Sequence, residues 1–379
     1  MKTFFKYATV VIISSLLTIG SSWAISPKPP KINASAYILQ DHNSGKVLAE
    51  LNADQRIPPA SLTKMMAAYT VEMDLRLGNI KLEDKVKISR KARYMTGSRM
   101  FVEQGSFVTV EDLLKGIIIQ SGNDATIALA EHIAGGEDSF VALMNAYAQK
   151  LGMENTNFVN ATGLPHRRHY STVRDLAILS NHIIRDFPEH YKLYSEKEFT
   201  YNGITQRNRN SMLWRDDTVD GIKTGHTNSA GFCLAASAER NGMRLVSVVV
   251  GTRSERARAT ESQKLLTHGY RFFETHKLYA SNQSLTDVRI WKGMTEKLPL
   301  GLTEDLYITI PRGDYKKLKA TLSIDEQILA PASKGNTYGS VNITLHNDVI
   351  EKRDLVALQS VPQGSIFNKV LDEVLLVFE

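Results

Sequence analysis

Alternating apolar and polar positions mark residues 35–40 and 46–51 as two strands, joined by the turn residues Asp41-His42-Asn43-Ser44-Gly45. Pro58-Pro59-Ala60 halts extended structure, and residues 61–77 then place apolar side chains at helical spacing up to Gly78. The same period recurs over 110–119, 125–133, 140–151 and 173–184. From Val219 the alternation returns, with strands expected over 221–225, 231–239 and 244–251 and the hairpin dipeptide Asn241-Gly242 between the last two. A long helix over 256–274 follows. Strands at both ends of a helical stretch predict one antiparallel sheet covered by helices, an α/β (α+β) domain over 25–276 whose end hairpins meet in space.

The texture then changes. Short apolar runs such as 306–310, 341–345 and 355–358, separated by turn residues, predict a small all-β domain over 286–361. Residues 365–378 return to helical period with Ile366, Phe367, Val370, Leu371, Val374, Leu375, Val377 and Phe378 on one side, which makes 363–379 a terminal amphipathic helix. At 1.5 Å per residue this helix is about 21 Å long, too short for a hydrocarbon core of about 30 Å, so it is expected to lie on the membrane surface rather than cross it. Its polar residues Asn368, Lys369, Asp372, Glu373 and Glu379 carry net negative charge, which anionic headgroups would repel. Packing against the β-domain or a second copy is the alternative.

The start of the chain has its own logic: Lys2 and Lys6, an apolar run over 8–20, then Ser22-Trp23-Ala24. That is the layout of a secretory signal peptide over 1–24, placing the protein in the periplasm, on the outer face of the inner membrane if the terminal helix holds it there. Of 379 residues only Cys233 is a cysteine, so no internal disulfide forms, and its alternating run 231–236 makes it a buried strand residue. The net charge of +6 comes without a long basic run or aromatic stripe, which excludes a nucleic-acid partner and suits an acidic peptide. The histidines, including His166 and His169, show no metal-ligand spacing, and no cofactor is implied.

Ser61-Leu62-Thr63-Lys64 is the only S-x-x-K in the chain. Residues three apart at a helix start share a face, so Lys64 can take the proton that a serine nucleophile must lose, provided burial and a second cation, for which Lys223 is the candidate, lower its pKa. Ser121-Gly122-Asn123 falls between two helical patterns, with Ser121 fit to relay a proton and Asn123 to donate to a substrate carbonyl. Lys223-Thr224-Gly225 opens the strand block, where a strand edge can pair with a peptide. There Lys223 and Thr224 can hold a carboxylate, and Gly225 leaves room for the substrate backbone. Each motif alone is weak: Ser61 reads equally as a helix cap, and Ser340-Val341-Asn342 repeats the second motif outside the ordered set.

The three motifs in this order resemble the set found in penicillin-binding proteins and class A β-lactamases. Residues 118–125 and 219–227 resemble the low-molecular-mass D-alanyl-D-alanine carboxypeptidases of the penicillin-binding protein 5/6 type, across essentially the whole mature chain. The resemblance implies Ser61 as acyl-ester nucleophile, Lys64 as base, Ser121 as relay to the leaving amine, and Lys223 in substrate binding. It implies an oxyanion hole from the backbone N–H groups of Ser61 and His226, and a terminal carboxylate held by Arg209 and Arg258. The substrates implied are peptidoglycan stem peptides ending in D-alanyl-D-alanine, with β-lactams as covalent inhibitors. Endopeptidase or transpeptidase action through the same serine is the alternative. A β-lactamase would need a water-activating acid such as Glu154, and a non-catalytic wall-binding protein would not need Ser61, Lys64, Ser121, Asn123 and Lys223 together.

Overall fold

The computed structural model describes residues 28–376, so the signal-peptide expectation lies outside the described residues. The first hairpin is β1 (Ala36–Asp41) and β2 (Val47–Leu51); the later strands are β3 (Val219–Thr227), β4 (Gly231–Arg240) and β5 (Met243–Thr252). They join as one antiparallel five-stranded sheet in the order β2-β1-β5-β4-β3. Val248 stands opposite Ile38 on one side and Ala235 on the other, so the hairpins do meet in space.

Helices cover both faces. Val246, Val248, Val250, Ala235 and Cys233 pack toward α1 (Thr63–Arg76), α2 (Val110–Lys115), α3 (Asn123–Ala134), α4 (Glu137–Lys150) and α5 (Val173–Asp186). Leu234, Ala236, Leu245 and Val249 pack toward α6 (Glu255–Phe272), which contributes Ala259, Leu265, Leu266 and Tyr270. With cores on both sides, β5 must be apolar toward both faces, which explains its Val-rich run, interrupted only by the buried Ser247. Every residue of α1 from Thr63 to Met73 is buried, so this helix runs through the interior rather than along the surface. Side-chain caps fix the ends of the outer helices: Thr172 accepts from Asp175 N at 3.0 Å, and Ser254 from Ala257 N at 3.1 Å.

Phe272 ends the helix expected over 256–274. Residue 273 turns extended and begins β6 (Phe273–Tyr279), whose alternating side chains pair with a later strand. The β-rich part contains β7 (Ser284–Arg289), β8 (Lys297–Gly301), β9 (Leu306–Pro311), β10 (Leu318–Ile324), β11 (Thr337–Leu345) and β12 (Asp348–Ala357). One sheet runs β7-β8-β12-β11-β10, while β6 pairs with β9, and Leu298, Leu300, Ile308, Ile310, Ile343 and Leu355 fill the core. A short antiparallel pair, Lys85–Lys87 with Phe107–Thr109, and a short hairpin, Glu198–Tyr201 with Ile204–Arg207, arise where the pattern suggests no strands.

This β-rich part docks at the end of the main sheet where β3 begins. Thr275 Oγ1 donates to Asp41 Oδ2 at 2.7 Å, and Lys46 Nζ donates to the Thr309 carbonyl at 3.0 Å. The terminal helix α7 (Ile366–Leu376) turns its polar side to the same unit: Asp372 accepts from the Lys292 backbone N–H and pairs with Arg289, and Glu373 pairs with Lys292. Ile366 and Phe367, each 83% exposed, and Val370, Leu371, Val374 and Leu375 face outward. No helix among the described residues is long and apolar enough to cross a membrane.

Candidate active site

A short 3-10 turn, Ala60–Leu62, leads into α1 and carries Ser61. Ala60 sits at φ +48°, a left-handed conformation costly for a residue with a Cβ, and it is held by close packing from two directions. A Cβ on Gly163 would overlap the Ala60 carbonyl, and one on Gly225 would come within 3.2 Å of Pro59 O and Ser61 N. Gly225 therefore lets β3 press against the turn that bears Ser61; the room expected there for a substrate backbone is filled by the protein's own chain.

Lys64 lies one helical turn further on, 1% exposed, with Nζ 3.3 Å from Ser61 Oγ. The same Nζ donates to the Thr162 carbonyl at 2.6 Å. Burial first, then Arg209, lower its pKa to about 7 against the opposing pull of Asp124. Lys223 had been expected to supply the second cation. It is itself buried and held well below the usual lysine range, by burial first and then by Lys64, Arg209 and Arg258. Of two neighbouring ammonium groups, the one that sheds its proton first no longer repels the other, so Arg209 takes that part.

Ser121 follows the helical stretch Gly116–Gln120 at φ +64°, and its buried Oγ has no hydrogen-bond partner. Asn123 starts α3, its backbone N–H bonded to Ser98 O at 2.7 Å and its Nδ2 to Thr96 O at 2.6 Å, leaving one amide N–H and the amide oxygen uncommitted. Lys223 and Thr224 are buried in β3, which forms one edge of the main sheet, and His226 is exposed and stacked on Phe232 at 3.9 Å. Arg209 is exposed at the cleft. Arg258, 4% exposed, donates to Gly225 O and Arg209 O, both at 3.3 Å, and so braces the strand and the arginine beside it. Lys64, Lys223, Arg209 and Arg258 are near enough to act on one another's charge, and Gly225 touches the Ser61 turn; Glu154 is exposed in the turn after α4. Among the described residues no cluster of His, Cys, Asp or Glu could hold a metal.

The sequence matches the D-alanyl-D-alanine carboxypeptidase family over residues 24–254 and the penicillin-binding protein 5 C-terminal domain over residues 273–363. The chain belongs to the D-alanyl-D-alanine carboxypeptidase family. It is 46% identical over 361 residues to the D-alanyl-D-alanine carboxypeptidase DacA of Escherichia coli, covering 93% of this chain and 89% of that one. DacA of Haemophilus influenzae is 43% identical over 375 residues, covering 97% and 95% of the two chains. The crystal structure of penicillin-binding protein 5 from Haemophilus influenzae superposes with a TM-score of 0.86 at 44% identity, over 89% of this chain and all of that one (100%).

Against this family background the structure adds residues the motifs did not reveal. Asp124 is 1% exposed, and its carboxylate accepts from Met100 N at 3.0 Å and Phe101 N at 2.8 Å, tying the segment before α2 to the start of α3. A carboxylate directly after Ser-Gly-Asn was its only sequence signal. His169 accepts from Val159 N through Nδ1, so Nε2 carries the proton and donates to Thr63 Oγ1 at 2.7 Å. Burial pushes its pKa down to about 4, which keeps the ring neutral and the 159–169 segment pinned to the head of α1. Thr162, whose carbonyl holds Lys64, lies in that segment. A backbone acceptor has no side-chain signature, so no motif could have announced it.

Proposed function

We propose that Ser61 attacks the carbonyl between the last two D-alanines of a peptidoglycan stem peptide, releasing D-alanine and leaving an acyl-enzyme that water hydrolyses. The single observation that carries this assignment is Lys64 Nζ, buried, 3.3 Å from Ser61 Oγ and with its pKa lowered to about 7, so that near neutrality much of it is an unprotonated base. The hydrogen bond to Thr162 O fixes the amine while its lone pair accepts the serine proton. The oxyanion takes hydrogen bonds from the N–H groups of Ser61 and His226, and the unpartnered Ser121 hydroxyl passes a proton to the departing amine. Asn123 has an N–H left for a substrate carbonyl. Arg209, exposed and with Lys223 and Thr224 behind it, meets the terminal carboxylate, and Arg258 positions Arg209 and Gly225. β-Lactams acylate the same serine.

The protein acts in the periplasm, at the outer face of the inner membrane. Support comes from the outward apolar face of α7 and from the fate of its acidic residues: Asp372 and Glu373 are neutralised by Arg289 and Lys292 instead of meeting headgroups. Two measurements test this reading. Incubating the mature protein with diacetyl-L-lysyl-D-alanyl-D-alanine should release D-alanine stoichiometrically with turnover; no release would overturn the assigned activity. In liposome flotation, the mature chain should float and a chain lacking residues 363–379 should not; equal behaviour would overturn the membrane assignment alone.

A further inference from the structure

Beside the nucleophile lies a cavity of about 650 Å³, bounded by Arg56, Pro58, His166, Arg167, Tyr170 and Ser229. It is continuous with the site in the covalent sense, since Arg56-Ile57-Pro58 runs into the Ser61 turn, and Ser229 follows β3 after Thr227. Ile57 N donates to Ser171 O at 2.8 Å and Ser171 N donates back at 3.0 Å, so the two walls are tied together by backbone.

Its charge is one-sided. No aspartate or glutamate lines it, whereas Arg56 and Arg167 do, with Arg168 next in the chain. Among the described residues none of these three arginines has an acidic partner within 4.0 Å, although Arg174 a few residues on is clamped between Glu50 and Asp54. Arg56 sits over the Tyr170 ring, its guanidinium carbon 4.4 Å from the centroid, a contact that holds the group without using its N–H donors. Exposed cations held in place but left without carboxylates form a site prepared for an anion that arrives with the ligand.

The direction of the ligand follows from β3. With the terminal carboxylate at Lys223, Thr224 and Arg209 and the scissile carbonyl at Ser61, the peptide upstream extends past Thr227 toward Ser229. Ser229, two residues beyond the end of β3, lines the cavity together with Arg56 and Arg167, and each upstream residue of an extended peptide adds about 3.3 Å in that direction. We propose that this cavity binds free carboxylates on the second or third stem-peptide residue upstream of the scissile bond, so that the enzyme selects acidic over amidated stem peptides. This subsite rests on the carboxypeptidase reading above.

The test compares γ-D-glutamyl-diaminopimelyl-D-alanyl-D-alanine with the same peptide carrying both upstream carboxylates as amides. Wild-type protein should cleave the acidic peptide with about tenfold higher kcat/KM, a preference that shrinks with added salt. In the double variant Arg56→Gln/Arg167→Gln the ratio should fall toward one, while cleavage of the amidated peptide and labelling by a fluorescent penicillin stay at wild-type levels. Equal cleavage of the two peptides by wild type, or an unchanged ratio in the double variant, overturns the subsite. Absence of D-alanine release from either peptide would instead strike at the carboxypeptidase reading.

Discussion

Asp220 and Lys223 lie three residues apart on β3, and their surroundings are opposite in kind. Asp220 accepts from Arg244 Nη1 at 2.6 Å and from the Tyr191 hydroxyl at 3.0 Å, and Arg244 also pairs with Glu239. Nearby, Arg240 is paired with Asp216. At this end of the sheet every partly buried charge named has been given its counter-ion. Toward the other end, Lys223 and Lys64 crowd together with Arg209 and Arg258; Glu255 reaches Arg258 at 3.5 Å, but neither lysine has a carboxylate bonded to it, and Lys64 has only the opposing pull of Asp124. A scaffold that only needed stability would pair or remove such cations, because an unpaired buried charge costs several kcal/mol (about 3–5 when a pair is broken). At this unpaired end the cost shows up as depressed lysine pKa values, about 7 for Lys64 and well below the usual lysine range for Lys223.

The largest effect tests the unpaired end. Ser61→Ala should abolish both D-alanine release and penicillin labelling with the folded structure retained by circular dichroism; labelling at normal stoichiometry would remove Ser61 from its role. Lys64→Ala should slow acylation by about 10²–10⁴-fold, the range for loss of a positioned base. In the wild type, acylation should rise with pH through about 7 as Lys64 loses its proton, and a stopped-flow profile flat from pH 6 to 9 would contradict the base assignment.

Arg244→Ala examines the paired end. It strands Asp220 and should lower unfolding free energy by about 2 kcal/mol in a urea titration, with penicillin acylation nearly unchanged. Arg209→Ala should weaken peptide turnover by about tenfold with less effect on penicillin, and should move the acylation midpoint to higher pH, because Arg209 holds the Lys64 pKa down. Arg258→Ala should depress both substrates together, since it also braces Gly225. Smallest of all, Lys223→Met should stabilise the fold at pH 7 by about 1 kcal/mol while impairing substrate binding. The sign follows from linkage. The folded protein binds fewer protons at Lys223 than the unfolded chain does, so stability rises with pH up to the ordinary lysine range, and the gain from Met should fade there.

Much of this arrangement was legible from side-chain pattern. The two hairpins, α1 to α6 and the three motifs could be read because apolar period and side-chain chemistry are local properties. What escaped depends on approach between distant segments. Gly225 reads as a gap for substrate until Pro59 and Ser61 are seen against it. Lys223 looks like a free cation until its burial is seen, which lets it yield the proton that the guanidinium of Arg209 keeps by its own chemistry. The pairing of the acidic side of α7 with Arg289 and Lys292 of the β-rich part had no signal in the helix itself. Likewise β6 directly continues α6 in the chain, and only its partner β9 makes residues 273–279 extended.

The two depressed lysines also make the cleft a proton reservoir whose filling depends on its occupant. A carboxylate entering beside Lys223 and Arg209 raises the proton affinity of any amine within reach, so binding an anionic ligand draws protons from solution. The heat of binding will then vary with the ionisation enthalpy of the buffer, and the slope counts the protons taken up. A proton taken up at Lys223 would leave the base free, whereas one taken up at Lys64 would stall it. Lys64, bonded to Thr162 O and 3.3 Å from Ser61 Oγ, belongs to the nucleophile's helix, whereas Lys223 stands on β3, where the proposed carboxylate binds.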